Sequence, residues 1–336
     1  MKKTYPLGKL PADELARLLT TCEPLDSRVL VGPGIGHDAA VISFGETYLV
    51  AKSDPITFVI SDIGWYAVNV NANDLACMGA TARWFLATLL LPENRTNAEL
   101  VESIFQQIRE ACGEMSIELV GGHTEITHGL DHPIVLGCML GEVTPEKLVR
   151  PGGAQPGDTL IVTKGIAVEG TAIIAQEKRA EVAEFDEAFL AHCRGFLRDP
   201  GISVVRDAEI ATAAGAVHAM HDPTEGGLAT GLWELAAASG CGLEVDEGAI
   251  PILPETRELC DKLNLDPLGL IASGSLLMAV DPDDAQNILD ALQNEGIDAA
   301  AVGRVVEDHA RVVLMDEDAE RPMPQFARDE ITRLFE

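Results

Sequence analysis

The stretch SDIGWYAVNVNANDLACMGA, residues 61–80, decides the fold prediction for this chain. Apolar residues recur along it at helical spacing and Gly79 is a typical helix stop, so the pattern predicts a helix. Polar residues that compete with the backbone for hydrogen bonds nevertheless crowd its centre: Asn69, Asn71, Asn73 and Asp74. They spread over more than half the helix circumference among small apolar neighbours, which a solvated face explains poorly. A polar ligand or metal held against a buried helix explains them better.

Length and charge narrow the classes of protein to which the chain can belong. A chain of 336 residues suits two domains. The run VRPGGAQPGD, residues 149–158, is the strongest boundary signal, and it predicts an N-terminal domain over 1–150 and a C-terminal domain over 151–336. With 24 Lys and Arg against 54 Asp and Glu, the net charge of -30 argues against nucleic acid as a partner. An anionic substrate would need metal ions or helix N-termini to hold it.

The cysteines and the apolar runs bear on localisation. Seven cysteines are scattered without a CxxC pair, which indicates reduced thiols and argues against a zinc ribbon or a disulfide scaffold. The start of the chain carries Pro, Gly, Asp and Glu where a secretory signal would be apolar, and no apolar run of 18 residues occurs. We therefore predict a cytoplasmic protein without a membrane span.

Predicted strands and helices alternate along the chain, which indicates an α/β (α+β) architecture. The N-terminal half has a predicted helix over 97–115 and predicted strands at 46–51, 82–91, 117–120 and 133–143. Residues 121–127, GGHTEIT, are predicted to form a loop at the end of a strand. The last predicted strand of the chain is 301–306.

Four short stretches place acids or paired glycines at the boundaries of these elements: GPGIGHDAA at 32–40, KSD at 52–54, ND at 73–74 and GGHTE at 121–125. Each alone is weak, because a glycine-rich turn or an acid at a strand end is most often only a turn. Several acids that converge would form a site for a hard metal such as Mg²⁺, which prefers oxygen ligands. The acids that we expect to converge are Asp38, Asp54, Asp74 and Glu125.

A fifth stretch, HDPTEGGL at residues 221–228, has an acid and a Gly-Gly pair at the start of a predicted helix. Free N–H groups at a helix start can hold an anion. The alternative is that Asp222 or Thr224 simply caps the helix. A similar passage at Lys164 and Glu169–Thr171 could reach phosphate or cap its own helix. No HExxH or GxSxG is present, which disfavours a zinc-protease type of metal site and a serine hydrolase.

In this order and spacing, the stretches resemble the AIR synthase (PurM-like) superfamily of ATP-dependent enzymes. GIGHDAAVI is similar to that family's GxGDDAA segment, KSDPI to its TDS/TDP segment, and IGWYAVNVNANDLACMGA to its IG-x-A-x-NDLA-x-MGA helix. GGHTE, DPTEGGL and the later VGRV are similar to its remaining signatures. The resemblance runs from about Gly8 to Val306.

Within the superfamily the chain looks most like the HypE (hydrogenase expression/formation protein) group, with three departures. The group's chemistry takes place on a cysteine in a C-terminal tail, whereas the last cysteine here is Cys260 and the sequence ends Arg-Leu-Phe-Glu. The segment IASGSL, residues 271–276, lacks the acid of the group's NEGKL-like segment. His37 stands where the superfamily usually has a first aspartate.

The resemblance implies a PurM-like two-domain fold, whose N-terminal mixed-sheet domain forms a homodimer, and it implies ATP and Mg²⁺ as cofactors. Asp38, Asp54 and Asp74 would bind the metal. Lys52, His123 and Glu125 would serve as phosphate ligand or acid/base groups. The nucleotide would lie near a larger set: Gly34, Gly36, Asn73, Gly121, Gly122, Thr124, Asp222, Gly226 and Gly227. Asn69 and Asn71 are expected to hydrogen-bond only the neighbouring backbone.

The function that the resemblance implies is ATP-dependent activation of an amide or carbonyl oxygen by phosphorylation, with release of ADP and phosphate. The acceptor, a small molecule or a protein, is not identified by the residues. One alternative is a phosphotransferase like thiamine-phosphate kinase. The other is a non-catalytic, HypE-like partner in hydrogenase maturation.

Overall fold

The computed structural model describes residues 5, 8–10, 12–19, 21–22, 25–57, 59, 61–316 and 319–335. The first four residues, on which the leader prediction partly depends, lie outside these ranges. The chain forms two compact units. The smaller unit comprises Pro24–Gly32 and Asp38–Leu148, and the larger unit comprises Met1–Glu23, Pro33–His37 and Val149–Glu336. The predicted domain boundary at residue 150 remains a prediction.

The smaller unit is a mixed six-stranded sheet with strand order β1-β2-β3-β6-β4-β5. Neighbouring strands are antiparallel except for β4 and β5, which are parallel. Helix α2 packs against β3, β4 and β6 and also against α3. The elements are β1 (Val29–Val31), β2 (Ala40–Phe44), β3 (Thr47–Ile56), α2 (Ile63–Cys77), β4 (Thr81–Pro92), α3 (Ala98–Glu114), β5 (Glu118–Thr127) and β6 (Ile134–Val143).

Helix α2 is buried along its whole length, which confirms the helix predicted from residues 61–80. Because no face of it meets water, its polar side chains must find partners inside the protein. The amide nitrogen of Asn69 donates to the carbonyl oxygen of Trp65 at 2.9 Å, and that of Asn71 donates to Ala67 at 2.8 Å. These bonds to the preceding turn match the role expected for Asn69, whereas Asn71 also bonds a more distant strand.

Two glycines of β6 allow α2 to lie close to the sheet. A Cβ atom at Gly137 would lie 2.3 Å from the amide nitrogen of Asn71 and 2.8 Å from the ring of Phe85. A Cβ atom at Gly141 would lie 2.6 Å from Leu75 and 2.5 Å from the carbonyl oxygen of Thr81. Distances below about 3 Å are well inside van der Waals contact, so a larger residue at either position would force the helix and sheet apart.

The Gly137→Ala variant is expected to lose about 2 kcal/mol of unfolding free energy, since the added methyl displaces the buried Asn71 side chain. The matched control is Gly113→Ala near the end of α3, where an added Cβ meets nothing within 4 Å. The control is expected to gain up to about 1 kcal/mol from helix propensity. Thermal and denaturant unfolding measure both, and equal effects in the two variants would contradict the packing argument.

The prediction that GGHTEIT forms a loop is wrong, because β5 continues through it to Thr127. Gly122 has φ +147°, and a Cβ there would lie 1.8 Å from the carbonyl oxygen of Ala87 on β4. Close strand approach, rather than a turn, therefore requires this glycine. The prediction failed because most of β5 is exposed, so the apolar alternation of a half-buried strand is absent.

The larger unit contains a mixed seven-stranded sheet with order β13-β12-β9-β11-β7-β10-β8. Its strands are β7 (Thr159–Thr163), β8 (Val217–His221), β9 (Gly242–Asp246), β10 (Leu277–Val280), β11 (Ala299–Val306), β12 (Val312–Asp316) and β13 (Ala319–Pro322). Its helices are α1 (Ala12–Leu19), α4 (Val168–Glu177), α5 (Glu187–Gly195), α6 (Val205–Ala214), α7 (Gly227–Ser239), α8 (Pro254–Leu263) and α9 (Ala285–Asn294). Strands β12 and β13 follow the strand that was predicted to be the last.

Strands β12 and β13 depend on hydrogen bonds to other strands rather than on an apolar alternation in their own sequence. β12 pairs in parallel with β9, far away in the sequence; among the residues that the structure describes, β13 pairs with β12 alone, and it is exposed throughout. A short strand at the sheet edge carries little apolar alternation, so the sequence signal is weak. The two mixed sheets confirm the α/β (α+β) fold class. Within the ranges that the structure describes, no helix has the length and hydropathy needed to cross a membrane.

Candidate functional site

The smaller unit brings Lys52, Asp54 and Asp74 together. Lys52 and Asp54 are two apart on β3, so their side chains leave the same face of the strand. Asp74 lies on the buried helix α2. The Lys52 Nζ atom is 2.8 Å from Asp74 Oδ1 and 3.7 Å from Asp54 Oδ2. The Asp74 side chain is only 7% exposed, against 36% for Asp54, so the cluster is reached from the Asp54 side.

Asn71 fixes this strand against this helix. Its side-chain oxygen accepts a hydrogen bond from the backbone N–H of Asp54 at 3.0 Å, and its amide nitrogen lies 3.3 Å from the carbonyl oxygen of Asp54. The asparagine sits one helical turn before Asp74, so it holds the strand where Lys52 and Asp54 face that carboxylate. The prediction that Asn71 bonds only the neighbouring backbone is therefore incomplete, because its bonds to β3 depend on tertiary packing.

The charge state of Lys52 follows from its surroundings. Burial alone would lower the pKa of Lys52, but the carboxylates of Asp74, Asp54 and Asp38 outweigh it and raise the pKa above its usual range. A lysine held in this way remains protonated at neutral pH and acts as a fixed positive charge rather than as a general base. Asp38, buried just before β2, thus acts on the same ammonium group as the other two aspartates.

The oxygen donors of this cluster suit a magnesium ion. Three carboxylates, with Asn73 fully buried beside Asp74 in the chain, form the hard, oxygen-rich set that Mg²⁺ prefers. The assignment of Asp38, Asp54 and Asp74 as the residues that would hold the metal remains a prediction. Glu125 is not part of the cluster, since its strand β5 is separated from β3 by β6 and β4, which corresponds to about 14 Å at ordinary strand spacing.

A second group of predicted residues lies on β5. His123 Nε2 is 3.2 Å from Glu125 Oε2, while Glu125 Oε1 accepts a hydrogen bond from the Thr127 hydroxyl at 3.0 Å. The bonds from Thr127 and His123 lower the pKa of Glu125, so this carboxylate is ionised at neutral pH. Such a carboxylate orients an imidazole for proton transfer. Thr124 and the glycines Gly121 and Gly122 lie exposed on the same strand.

In the larger unit the glycines near residue 34 are shaped by close contacts. A Cβ at Gly34 would lie 2.5 Å from the imidazole of His37, so that ring packs over the glycine. Gly36 has φ +70°, and a Cβ there would lie 2.6 Å from the carbonyl oxygen of Glu234 on α7. The Glu234 carboxylate in turn lies 2.8 Å from His221 Nε2. Gly36 therefore allows this loop to approach α7 closely.

The start of α7 has a cap that the sequence did not reveal. The N-cap residue of α7 is Gly226, which has no side chain with which to cap the helix. The N–H of Gly226 instead donates to Asp329 Oδ2 at 2.6 Å, from 103 residues away. Gly227 has φ +64°, and a Cβ there would lie 2.4 Å from the carbonyl oxygen of Leu268. Asp222 is buried beside this turn.

Glu169, in the first turn of α4, is a buried acid that the sequence singled out only as part of a glycine passage. It is 4% exposed, and its Oε2 atom has no hydrogen-bond partner among the described residues. Burial raises the pKa of Glu169 to about 8; Ser273 opposes the shift by hydrogen bonding, while Glu225 and Asp329 add to it. Ser273 belongs to IASGSL, so this segment without an acid of its own contacts a carboxyl group from α4.

Lys164 and Thr171 have structural partners. The Lys164 Nζ atom lies 3.1 Å from Asp207 Oδ2 and donates to the carbonyl oxygen of Ser203 at 2.5 Å. The Thr171 hydroxyl bonds the carbonyl oxygen of Ala167 and the Thr256 hydroxyl, each at 2.7 Å. These contacts hold α4 and the following segments together, and they favour the capping and packing alternative over a role in phosphate binding.

Comparison with known protein families matches the chain twice. Residues 36–143 match the N-terminal domain of AIR synthase related proteins, and residues 155–316 match the C-terminal domain. The chain belongs to the AIR synthase related protein family. The family assignment confirms the resemblance, and it covers every residue discussed above on α2, β3, β5 and α7.

Within this family, carbamoyl dehydratase HypE of Rhodobacter capsulatus is 34% identical over 300 residues, which are 86% of this chain and 83% of that protein. HypE of Escherichia coli is 31% identical over 258 residues, 76% of this chain and 73% of that protein. The HypE-like resemblance is thereby confirmed at the level of sequence.

Solved structures share the fold. A HypE in complex with ATP is 24% identical, with a TM-score of 0.71 over 92% of this chain and 89% of that one. A chain of a HypE–HypF complex is 21% identical, with a TM-score of 0.76 over 93% of this chain and 99% of that one. A ThiL complexed with AMPPCP and TMP is 22% identical, with a TM-score of 0.74 over 97% and 99%. At these identities the likeness confirms the PurM-like fold.

Proposed function

We propose that this chain is an ATP- and Mg²⁺-dependent enzyme that phosphorylates an amide or carbonyl oxygen of its acceptor and releases ADP and phosphate. The observation that carries the proposal is the cluster of Lys52, Asp54 and Asp74 at the junction of β3 and α2. The sequence identity of 34% to a carbamoyl dehydratase and the fold shared with a HypE that binds ATP support it. The enzyme is of the ligase or dehydratase type.

In this proposal Asp38, Asp54 and Asp74 hold Mg²⁺, which when bound neutralises phosphate charge. The buried ammonium of Lys52 holds two of these carboxylates in place. The nucleotide is bound by backbone and short side chains that can approach a phosphate or ribose closely. These are Gly34, Gly36, Asn73, Gly121, Gly122, Thr124, Asp222, Gly226 and Gly227.

The proposed reaction has two steps, phosphorylation of the acceptor oxygen and loss of the phosphate. A bond forms between the acceptor oxygen and the γ-phosphorus while the bond from that phosphorus to ADP breaks. Loss of the phosphate then breaks the carbon–oxygen bond, and the amide nitrogen gives up two protons, one to a protein base and one to the departing phosphate. His123, oriented by Glu125 at 3.2 Å, is the group that we assign to accept one of them.

The direct test is thermal unfolding with nucleotide. A ligand that binds only the folded state at 100 times its dissociation constant adds about 2.7 kcal/mol to stability. ATP with Mg²⁺ is therefore expected to raise the melting temperature by several degrees, whereas ATP with EDTA is expected to give a much smaller rise. Absence of both a shift and a heat of binding at millimolar ATP would refute the proposal.

The reaction products distinguish the proposed function from two alternatives. The fold shared with a ThiL that binds AMPPCP and TMP favours a phosphotransferase as second candidate. Phosphate that remains on an acceptor would identify a kinase, and free phosphate with a dehydrated acceptor would identify the proposed reaction. ATP binding without turnover with any acceptor would identify a maturation partner, a role supported by the HypE–HypF complex.

We further propose that the chain is a homodimer that pairs through β5. This strand lies at the edge of its sheet and exposes large apolar side chains, Val120 at 51% and Ile126 at 65%. A long exposed edge with apolar residues is a template for pairing with a second chain. We also propose that the protein is cytoplasmic and that its two domains span residues 1–150 and 151–336.

The Ile126→Glu variant is expected to convert the dimer to a monomer, since a buried unpaired charge at the strand edge opposes pairing. Light scattering after gel filtration measures the mass. The control is Phe44→Glu, which changes another exposed apolar residue, at 65%, on β2. Dimers of equal stability in both variants would contradict the β5 interface, and a wild-type monomer would contradict the dimer itself.

A further inference from the structure

The Lys52 ammonium group lies close to two carboxylates, in a position that suits a cation. It is 2.8 Å from one carboxylate and 3.7 Å from another, and its side chain is only 22% exposed. The acids around it are Asp38, Asp54 and Asp74. Carboxylates at such short range from one ammonium group, here those of Asp54 and Asp74, repel each other unless a positive charge lies between them. In this chain the Lys52 side chain supplies part of that positive charge.

We infer that Lys52 fills one cation position among these carboxylates, so that the site takes fewer divalent ions, or takes them more weakly, than its three acids alone would. The inference rests on the proposed function in one respect, namely that these acids face the nucleotide-bound metal. The three carboxylates carry three negative charges, and Lys52 leaves a net charge of about two, which a single divalent ion neutralises.

The position of Lys52 is held by the fold rather than by chance side-chain geometry. Asn71 bonds both the N–H and the carbonyl oxygen of Asp54, which clamps β3 to α2. Lys52 shares a strand face with Asp54, so the clamp directs its ammonium group toward Asp74. A long flexible lysine on an open surface would lose this position to solvent, whereas this one is enclosed on the helix side by the buried α2.

The experiment counts bound Mn²⁺, a spectroscopic probe for Mg²⁺ sites, by electron paramagnetic resonance without nucleotide. The Lys52→Met variant is expected to bind one more Mn²⁺ per chain than the wild type, or to bind it at least about tenfold more tightly. Lys147→Met is the matched control, because it removes the same charge from an exposed position of the same unit. It is expected to match the wild type.

Equal number and affinity of Mn²⁺ in Lys52→Met and wild type would overturn the inference. If Lys52→Met fails to fold, a second comparison replaces it. Asp74→Asn alone is compared with Asp74→Asn combined with Lys52→Met, where the buried acid no longer needs a counter-charge. The double variant is expected to bind Mn²⁺ at least about tenfold more tightly than Asp74→Asn, and equal affinity would again overturn the inference.

This outcome is distinguishable from failure of the proposed function. If the wild type does not bind ATP with Mg²⁺, the enzyme proposal is refuted, regardless of how the Lys52 variants bind Mn²⁺. A wild type that binds ATP with Mg²⁺, together with Lys52 variants that bind Mn²⁺ like the wild type, refutes only the role assigned to Lys52.

Discussion

In the Asp74→Ala variant, the affinity for ATP with Mg²⁺ is expected to fall at least about 100-fold, a loss of about 2.7 kcal/mol. The variant removes the most buried carboxylate of the cluster and releases the Lys52 ammonium group, 2.8 Å away, toward Asp54. Both changes reduce the negative charge available to a divalent cation. Calorimetric titration of ATP with Mg²⁺ measures the affinity, and the rise in melting temperature is expected to vanish in parallel.

The control for this variant is Glu99→Ala, which removes an exposed carboxylate from the first turn of α3. It is expected to bind ATP like the wild type. Where circular dichroism shows that Asp74→Ala has lost its fold, Asp74→Asn keeps the side-chain volume and is expected to give the same loss of affinity. Binding within about twofold of the wild type in a folded variant would contradict the assignment of Asp74.

The Glu169→Gln variant is expected to become more stable than the wild type as the pH rises. Burial raises the pKa of Glu169 to about 8 in the folded protein, from an ordinary value of 4.5. Below pH 4.5 the acid is protonated in both states and no difference arises. Between 4.5 and 8 the unfolded chain releases a proton that the folded chain retains, so the wild type loses stability. The full difference is on the order of 5 kcal/mol.

Denaturant unfolding at pH 6 and pH 9 measures this effect as the difference between variant and wild type. Asp329, whose pKa is raised to about 6 chiefly by burial, is present in both proteins and adds to the raised pKa of Glu169, so the difference between them includes the coupling of these two carboxyl groups. Glu181→Gln, at an exposed position, is the control and is expected to be indifferent to pH. A Glu169→Gln stability that tracks the wild type from pH 6 to pH 9 would show that this carboxyl group is already ionised.

The two acids illustrate opposite solutions to burial in one chain. Asp74 lies 2.8 Å from the Lys52 ammonium group, a positive charge that favours an ionised carboxylate. The neighbours of Glu169 are a serine and two further acids, so its protonated form has the lower free energy. Sequence neighbours distinguish the two poorly, since both acids occur in helices among small residues. The difference arises from residues on other elements, Lys52 on β3 and Ser273 before β10.

Much of the fold was predictable because it depends on local pattern. The helix at residues 61–80 follows from apolar spacing, and the strands around it from apolar runs bounded by Gly and Pro. The elements that escaped prediction are edge strands. β5 and β13 are exposed, so neither carries the apolar alternation that burial imposes on a strand.

The candidate site was predictable as a set of residues but not as an arrangement. The amino-acid sequence by itself determined the family, the buried α2 and the presence of Asp38, Asp54 and Asp74. Only the tertiary structure decided that Lys52 lies among these acids, that Asn71 ties β3 to α2, and that Asp329 caps α7 from 103 residues away. The physical reason is that helix and strand periodicity is written in neighbouring residues, whereas charge pairing and capping depend on side chains that only folding brings into contact.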